Sequence, residues 1–246
     1  DDADRFVRNY LSEGQLKDVS WMQGGARSAR SARKDDNSVS SYKDVPERIR
    51  GCFVGWGNPN DFVNPNARRR CTIQHCCGPH GAYGMYIVWN SVASRADGET
   101  RINLLLNRNS KHADVRSFLP YDGRAEIAVK SDCDLSVNVL PVSAAARAKA
   151  SVNGRQVESE TRGSRVIVKN VPAGAKVSVE FPLERRNENT TVNGTEYETA
   201  WKGNTVVSIS PGGTIHPFFK REHFLQDKAP TAANDDYSRL DNEIEW

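Results

Sequence analysis

Apolar positions along the chain change their period near residue 100. Before it, Phe6, Val7, Tyr10, Leu11 and Leu16 recur three and four residues apart, the stripe of an amphipathic helix. The spacing predicts a helix over 2–22, with Asp1, Asp2 and Asp4 suiting the dipole at its first turn and Gly24-Gly25 closing it. A short helix is expected over 44–50, with Asp44 as cap and Pro46 in the first turn. Ala82, Tyr83, Met85, Tyr86, Ile87, Val88 and Trp89 form a dense apolar run that predicts a buried helix ending near Ala93. Beyond residue 100 the alternation is two-fold, as in Leu135, Val137 and Val139. Strands are expected over 102–106, 114–119, 125–130, 135–140, 148–152, 165–169, 176–181, 197–201 and 205–209. Turn signals such as Asp122-Gly123, Asn153-Gly154, Pro172-Ala-Gly174 and Asn193-Gly194 fall between them. Short strands at regular spacing indicate an antiparallel sandwich or a pair of sandwiches. Helices first and strands afterwards make the fold class α+β multidomain. The expected boundaries are 1–97 for the helical region, 98–221 for the β region and 222–246 for a polar tail.

Composition narrows the function classes. The 246 residues are 37% hydrophobic and 26% charged, enough for a core and near the average charge content. Net charge is only +3, and no basic groove with interleaved aromatics appears, which argues against a nucleic-acid partner. Arg27, Arg30, Arg33 and Lys34 are spaced by Ser and Ala and followed by Asp35 and Asp36, the pattern of a solvated loop. No apolar run is long enough for a bilayer-spanning helix, and no membrane partner is expected. The opening DDADRFVRNY lacks both an apolar signal region and an initiator Met. It reads as a processing site, a cloning boundary or the cut end of a longer chain, and the compartment stays open. Oligomeric state is not legible.

Candidate chemistry gathers in 71–90. Three of the five cysteines lie there: Cys71 and the adjacent pair Cys76-Cys77, bracketed by His75 and His80. Gly78 and Pro79 break the backbone just before the apolar run. Two thiols are thus expected on a tight turn at a helix N-terminus. Unpaired N–H groups and the helix dipole favour anions there, which lowers thiol pKa and raises metal affinity. The competing reading is ordinary buried cysteine, among the most buried of residues. Vicinal cysteines rarely bridge each other, so reduced thiols or ligands are expected. The preceding loop, 51–66, carries Phe53, Trp56 and Phe62; such aromatics line a pocket or pack beneath their own loop.

These residues, taken together, resemble the C-terminal part of the zinc–cysteine glycoside hydrolases, the β-L-arabinofuranosidase-like family 127. The likeness begins at Asp4-Arg-Phe-Val-Arg-Asn-Tyr10 with Gln15-Leu16, and continues through Gly51-Cys-Phe-Val-Gly-Trp56 and Pro59-Asn-Asp-Phe62 to Cys76-Cys77. It then runs through Ile102-Asn-Leu-Leu-Leu-Asn-Arg108, Asp114-Val115 with Leu119-Pro-Tyr121, and Trp201-Lys-Gly-Asn-Thr-Val-Val207 with Ser210-Pro211. It implies terminal helices of an (α/α)6 barrel over 1–97, incomplete, followed by β-sandwich. It implies a retaining hydrolase of furanosides, with Cys76 as nucleophile and zinc ligand, Cys77 as second zinc ligand, and a carbohydrate substrate. The family's Glu-x-Cys ligand pair and its acid/base glutamate lie upstream of the cysteine pair, and this chain has no Glu-x-Cys. Either they precede Asp1 in a longer polypeptide or this is a degenerate member. Cys71, His75 and His80 are possible substitute ligands; Cys52 and Cys133 are read as structural. Zinc is expected to bind weakly or not at all to this chain alone, and the chain alone is expected to be inactive. A non-catalytic carbohydrate-binding or structural β-sandwich protein is the alternative. A small zinc module built on Cys71, Cys76, Cys77 and a histidine matches no common zinc spacing.

Overall fold

A computed structural model describes residues 1–22, 45–54, 77–213 and 220–229. The expected turn at Gly24-Gly25, the Asp44 cap, Trp56, Phe62, Cys71, His75 and Cys76 lie outside the described residues.

The first helix is shorter than its apolar stripe. Helix α1 spans Asp2–Phe6 and continues as one π-helical stretch, Val7–Leu11. Ser12 Oγ donates to Arg8 O at 2.7 Å, and the Gly14 amide donates back to Tyr10 O at 2.8 Å. The chain then turns, and Gln15 bridges Phe53 as an isolated antiparallel pair. Leu16 is fully buried, but beside this bridge, with its backbone bonded to Cys52 and Gly51, and not on a helix. A stripe made of helix plus bridge mimics a longer helix, because both put residue 16 on the inner side. Helix α2 is one turn, Val45–Arg48, and helix α3 spans Cys77–Asn90.

The β region is dominated by one sandwich. Strands β1 (Ala93–Ala96), β2 (Glu99–Ile102), β6 (Cys133–Asn138), β10 (Arg165–Val171) and β9 (Glu160–Arg162) form a five-stranded sheet in that order. Strands β3 (Arg108–Asn109), β4 (Ala113–Ser117), β5 (Arg124–Val129), β11 (Lys176–Glu180), β7 (Lys149–Val152) and β8 (Arg155–Val157) form the six-stranded partner. One short helix, α4 (Val142–Ala145), connects β6 to β7. Alternation decides which side chains meet between the sheets. Ile127 and Val129 of β5 and Val177 and Val179 of β11 face Leu135 and Val137 of β6 and Val166 and Val168 of β10 in one cluster. Strands β12 (Arg185–Val192), β13 (Thr195–Lys202) and β14 (Thr205–Ser210) make a separate three-stranded sheet.

Two expectations are corrected here. The sheets are not wholly antiparallel: β2 and β6 pair in parallel, from Glu99 against Asp134 to Ile102 against Val137. Between them the chain crosses to the other sheet for β3, β4 and β5, and that double crossing returns β6 in the direction of β2. The strand expected over 102–106 ends at Ile102, and Leu105 is buried from the following irregular stretch. Strand β12 escapes an apolar reading because it is an edge strand of sequence RRNENTTV, mostly exposed.

Tight backbone approach fixes one corner of the sandwich. Phe181 donates its amide to Gly123 O at 2.7 Å, and a Cβ on Gly123 would lie 2.0 Å from Phe181 O. Backbone cannot yield as a flexible side chain can. Gly123→Ala is expected to cost about 2–3 kcal/mol, read as a fall in melting temperature by circular dichroism. An unchanged melting temperature would mean that the corner is looser than this contact.

Candidate functional site

Helix α3 is described from Cys77, so Gly78 and Pro79 lie within the helix instead of preceding it. The Cys77 thiol is half-buried, and His80 is exposed one turn on. The structure therefore brings two of the five candidate residues, Cys77 and His80, to the same helix end. Cys133 is a core residue of the sandwich, far in sequence from this end, and Cys52 is half-buried.

The expectation that α3 is a buried helix is overturned. None of its residues is buried, and Tyr83, Met85, Tyr86, Ile87 and Trp89 are 36–61% exposed. Phe6 and Tyr10, stacked with ring centroids 5.1 Å apart, are each 52% exposed. The contact face of α3 is its glycine face. A Cβ on Gly81 would lie 2.1 Å from Phe53 Cγ, and one on Gly84 would lie 3.4 Å from Leu11 Cδ1. Glycine lets the helix backbone lie directly on these side chains, while the bulky residues point elsewhere. Apolar density along the run does not tell which face of the helix makes contact. Gly81→Ala is expected to push α3 off Phe53 and cost about 1–2 kcal/mol. Its signature is faster alkylation of Cys77, and an unaltered rate would separate the thiol's environment from this packing.

Three segments from distant parts of the chain fasten α1 and α3 to the strands. Asn204 Nδ2 donates to Asp4 Oδ2 at 3.0 Å, and Asn9 Nδ2 donates to Asn204 O at 2.8 Å. The Val206 amide donates to Asn9 Oδ1 at 2.8 Å, continuing the strand ladder into the helix side chain. Arg8 bridges Asp4 at 2.9 Å and donates to Leu105 O at 3.0 Å. At the far end of α3, Arg108 donates to Trp89 O and Asn90 O, each at 2.6 Å, and its guanidinium lies 4.2 Å from the Trp89 ring centroid. A cation at a helix C-terminus meets the last unpaired carbonyls and the negative end of the dipole.

Arg221 closes the assembly. It is 4% exposed and donates to Glu13 Oε1 at 2.7 Å, Arg8 O at 2.6 Å and Val206 O at 2.6 Å. Burial pulls its pKa below the ordinary arginine value, and the Glu13 carboxylate opposes that shift. Nearby, Lys220 donates to Asp18 at 2.7 Å and, with Ser20, holds the Asp18 carboxyl below its ordinary range. Lys202 donates to Leu225 O, Gln226 O and Asp227 Oδ1 at 3.2, 3.0 and 3.1 Å. The start of the expected polar tail is thereby fastened. Polar residues outside any apolar pattern gave no signal for this network in the sequence.

A metal is not accommodated by what is described. Cys77 and His80 provide two donors, and a structural or catalytic zinc takes three or four protein ligands. Among the described residues no group of three or more His, Cys, Asp or Glu side chains is placed to hold a metal ion. Among them, too, no helix is long and apolar enough to cross a membrane.

What the fold defines is a β-sandwich with a short helical face fastened across one end. No family model matches the chain, and no curated protein matches it. Several solved structures are similar to it. One is a GH127 β-L-arabinofuranosidase from Geobacillus stearothermophilus T6, at 16% identity and a TM-score of 0.38 over 53% of this chain and 23% of that one. Another, described as a glycoside hydrolase, has 12% identity and a TM-score of 0.43 over 58% of this chain and 28% of that one. A third, a GH127 β-arabinofuranosidase, has 18% identity and a TM-score of 0.39 over 57% and 27%. The chain thus spans about a quarter of the length of these neighbours. Superpositions of this quality do not establish membership of a family.

Proposed function

We propose that the chain is the C-terminal portion of a retaining glycoside hydrolase acting on furanosides, β-L-arabinofuranosides first among them. The observation that supports this reading is where the resembling segments lie. Asp4–Tyr10 is bonded to Asn204 and Val206, and Arg108 caps the helix that Cys77 opens. Segments separated by up to 200 residues thus serve one end of the molecule, and they hold the cysteine-bearing helix to the strands.

In the proposed reaction Cys76, which immediately precedes α3, acts as nucleophile. Its sulfur lone pair forms a bond to the anomeric carbon as the glycosidic C–O bond breaks. A separate acid protonates the departing oxygen; its conjugate base then takes a proton from the water that displaces the thiolate and releases the sugar. The positive end of a helix dipole favours a thiolate over a thiol. Cys77 would help to orient that end of the helix. Zinc would hold sulfur as thiolate where a full ligand set exists; the described residues do not make one, so no step here depends on it.

One observation favours the second reading, a non-catalytic β-sandwich protein. Each resembling residue in the network above has a structural task, which explains its presence without catalysis. The deciding experiment is hydrolysis of an aryl β-L-arabinofuranoside, with zinc content measured on the same preparation. It is run on this chain and on the complete polypeptide that carries it. Cleavage and zinc in the complete polypeptide are expected. Neither in any form would leave the binding or structural reading.

A further inference from the structure

A crevice of about 390 Å³ opens between the first helical stretch, α3 and the segment around 220–224. We propose that it is a binding site for a neutral sugar, distinct from the cysteine end of α3. This rests on the saccharide-directed reading above and adds a second site to it.

The wall of the crevice is apolar, with Val7, Met85, Val88 and the Phe224 ring exposed to it. Its rim carries hydrogen-bonding groups of both kinds, including Glu13, Gln15, Asp18 and Lys220. A cavity of this size, mostly apolar with a few convergent polar groups and placed between structural units, suits a small ligand. Collapse would remove it in an ordinary core, because interiors pack tightly. Here Arg221, itself on one wall, ties that wall to the first helical stretch and to β14.

The charges decide the ligand class. The ions of the wall are paired within the protein, Arg8 with Asp4, Arg221 with Glu13 and Lys220 with Asp18, and the remaining cation, Lys17, is 62% exposed and shares Glu13. A cationic ligand would break a pair to gain one, and an anionic ligand would find only the exposed, solvent-screened Lys17 without a carboxylate of its own. A neutral ring with hydroxyls on its edge breaks none. Its C–H face would lie on Met85 and Val88, and its hydroxyls could donate to the rim carboxylates and accept from Lys220. Met85 and Val88 are eight and eleven residues beyond Cys77, about 12–17 Å along the helix at 1.5 Å per residue. One furanose ring cannot occupy both places.

The test is titration of the whole chain with L-arabinose, followed by ligand-observed NMR and calorimetry, with sodium benzoate as the anionic control. Saturable L-arabinose binding in the millimolar range is expected, with benzoate weaker. Met85→Trp should weaken it by about 10-fold, a change worth about 1.4 kcal/mol. Gln15→Ala alters the rim without filling the wall and should weaken it less; it gives a second reading should Met85→Trp fail to fold. Cys77→Ser should leave the affinity unchanged. Absence of saturation overturns the proposal, and so does equal affinity in the Met85→Trp and Gln15→Ala variants. Binding lost in Cys77→Ser but kept in Met85→Trp would put the sugar at the helix start, which sinks the second site and leaves the glycosidase reading standing. Crevice binding in a complete polypeptide that hydrolyses no arabinofuranoside would do the reverse.

Discussion

Arg221→Ala is expected to destabilise the chain by about 3–5 kcal/mol. The guanidinium is buried, and its donors satisfy Glu13, two backbone carbonyls and the Asn9 side chain. Removing it takes the 2.7 Å partner from Glu13, whose side chain is 11% exposed; the 3.4 Å bridge to solvent-exposed Lys17 is a poor replacement. An uncompensated buried carboxylate is what makes breaking such a pair costly. Replacing both partners is a milder change, so Arg221→Met with Glu13→Leu should recover much of the loss. At about 2–4 °C per kcal/mol for a chain of this size, the single variant should melt roughly 6–20 °C lower. Limited proteolysis should show where the loss falls. The contacts predict release of the first helical stretch and of 220–229 before the sandwich opens, since the sandwich core makes none of these bonds. A melting temperature within a degree or two of the parent would show that the network carries little of the stability.

The sandwich was legible because alternation and burial coincide in it. β5 reads buried at every second residue, Ala125, Ile127 and Val129, and both its neighbours are antiparallel in unbroken register. A period of two in the sequence therefore maps directly onto one face of a sheet. The exposed edge strands β9 and β12 did not announce themselves. They bury almost nothing, so no apolar pattern is required of them. The helical part was misjudged for a related reason. Leu16 satisfied helical spacing while sitting beside the bridge to Phe53, and spacing alone cannot separate the two. In α3, Gly81 and Gly84 are three residues apart and mark the side that lies against Phe53 and Leu11. Small residues at helical spacing were the available signal for the packing face, and the aromatic run drew the reading away from it. The fastening network left no trace in periodicity, because Asp4, Asn9, Asn204 and Arg221 are matched by shape and hydrogen bonding across 200 residues.

The thiols carry the largest effect expected on activity. In the complete polypeptide, Cys76→Ser should lower cleavage of an aryl β-L-arabinofuranoside by on the order of 10³-fold or more, because serine at this position has neither the thiolate nor a base to replace it. Cys77→Ser should act differently. It opens α3 and is half-buried, so its loss should lower metal content and activity together while the fold persists. In the present chain alone, zinc after dialysis is expected well below one per molecule, since two thiolates leave half of a tetrahedral shell to water. These outcomes separate the readings at the level of single atoms. Tight one-to-one zinc in this chain would require Cys71, His75 or His80 to complete the set, and His80→Ala, on the exposed side of the first turn, would then test the one of these three whose place is described. Hydrolysis by this chain alone would place the proton donor within these 246 residues and end the view of it as part of a larger enzyme. Full activity in Cys76→Ser would remove the sulfur from the reaction altogether.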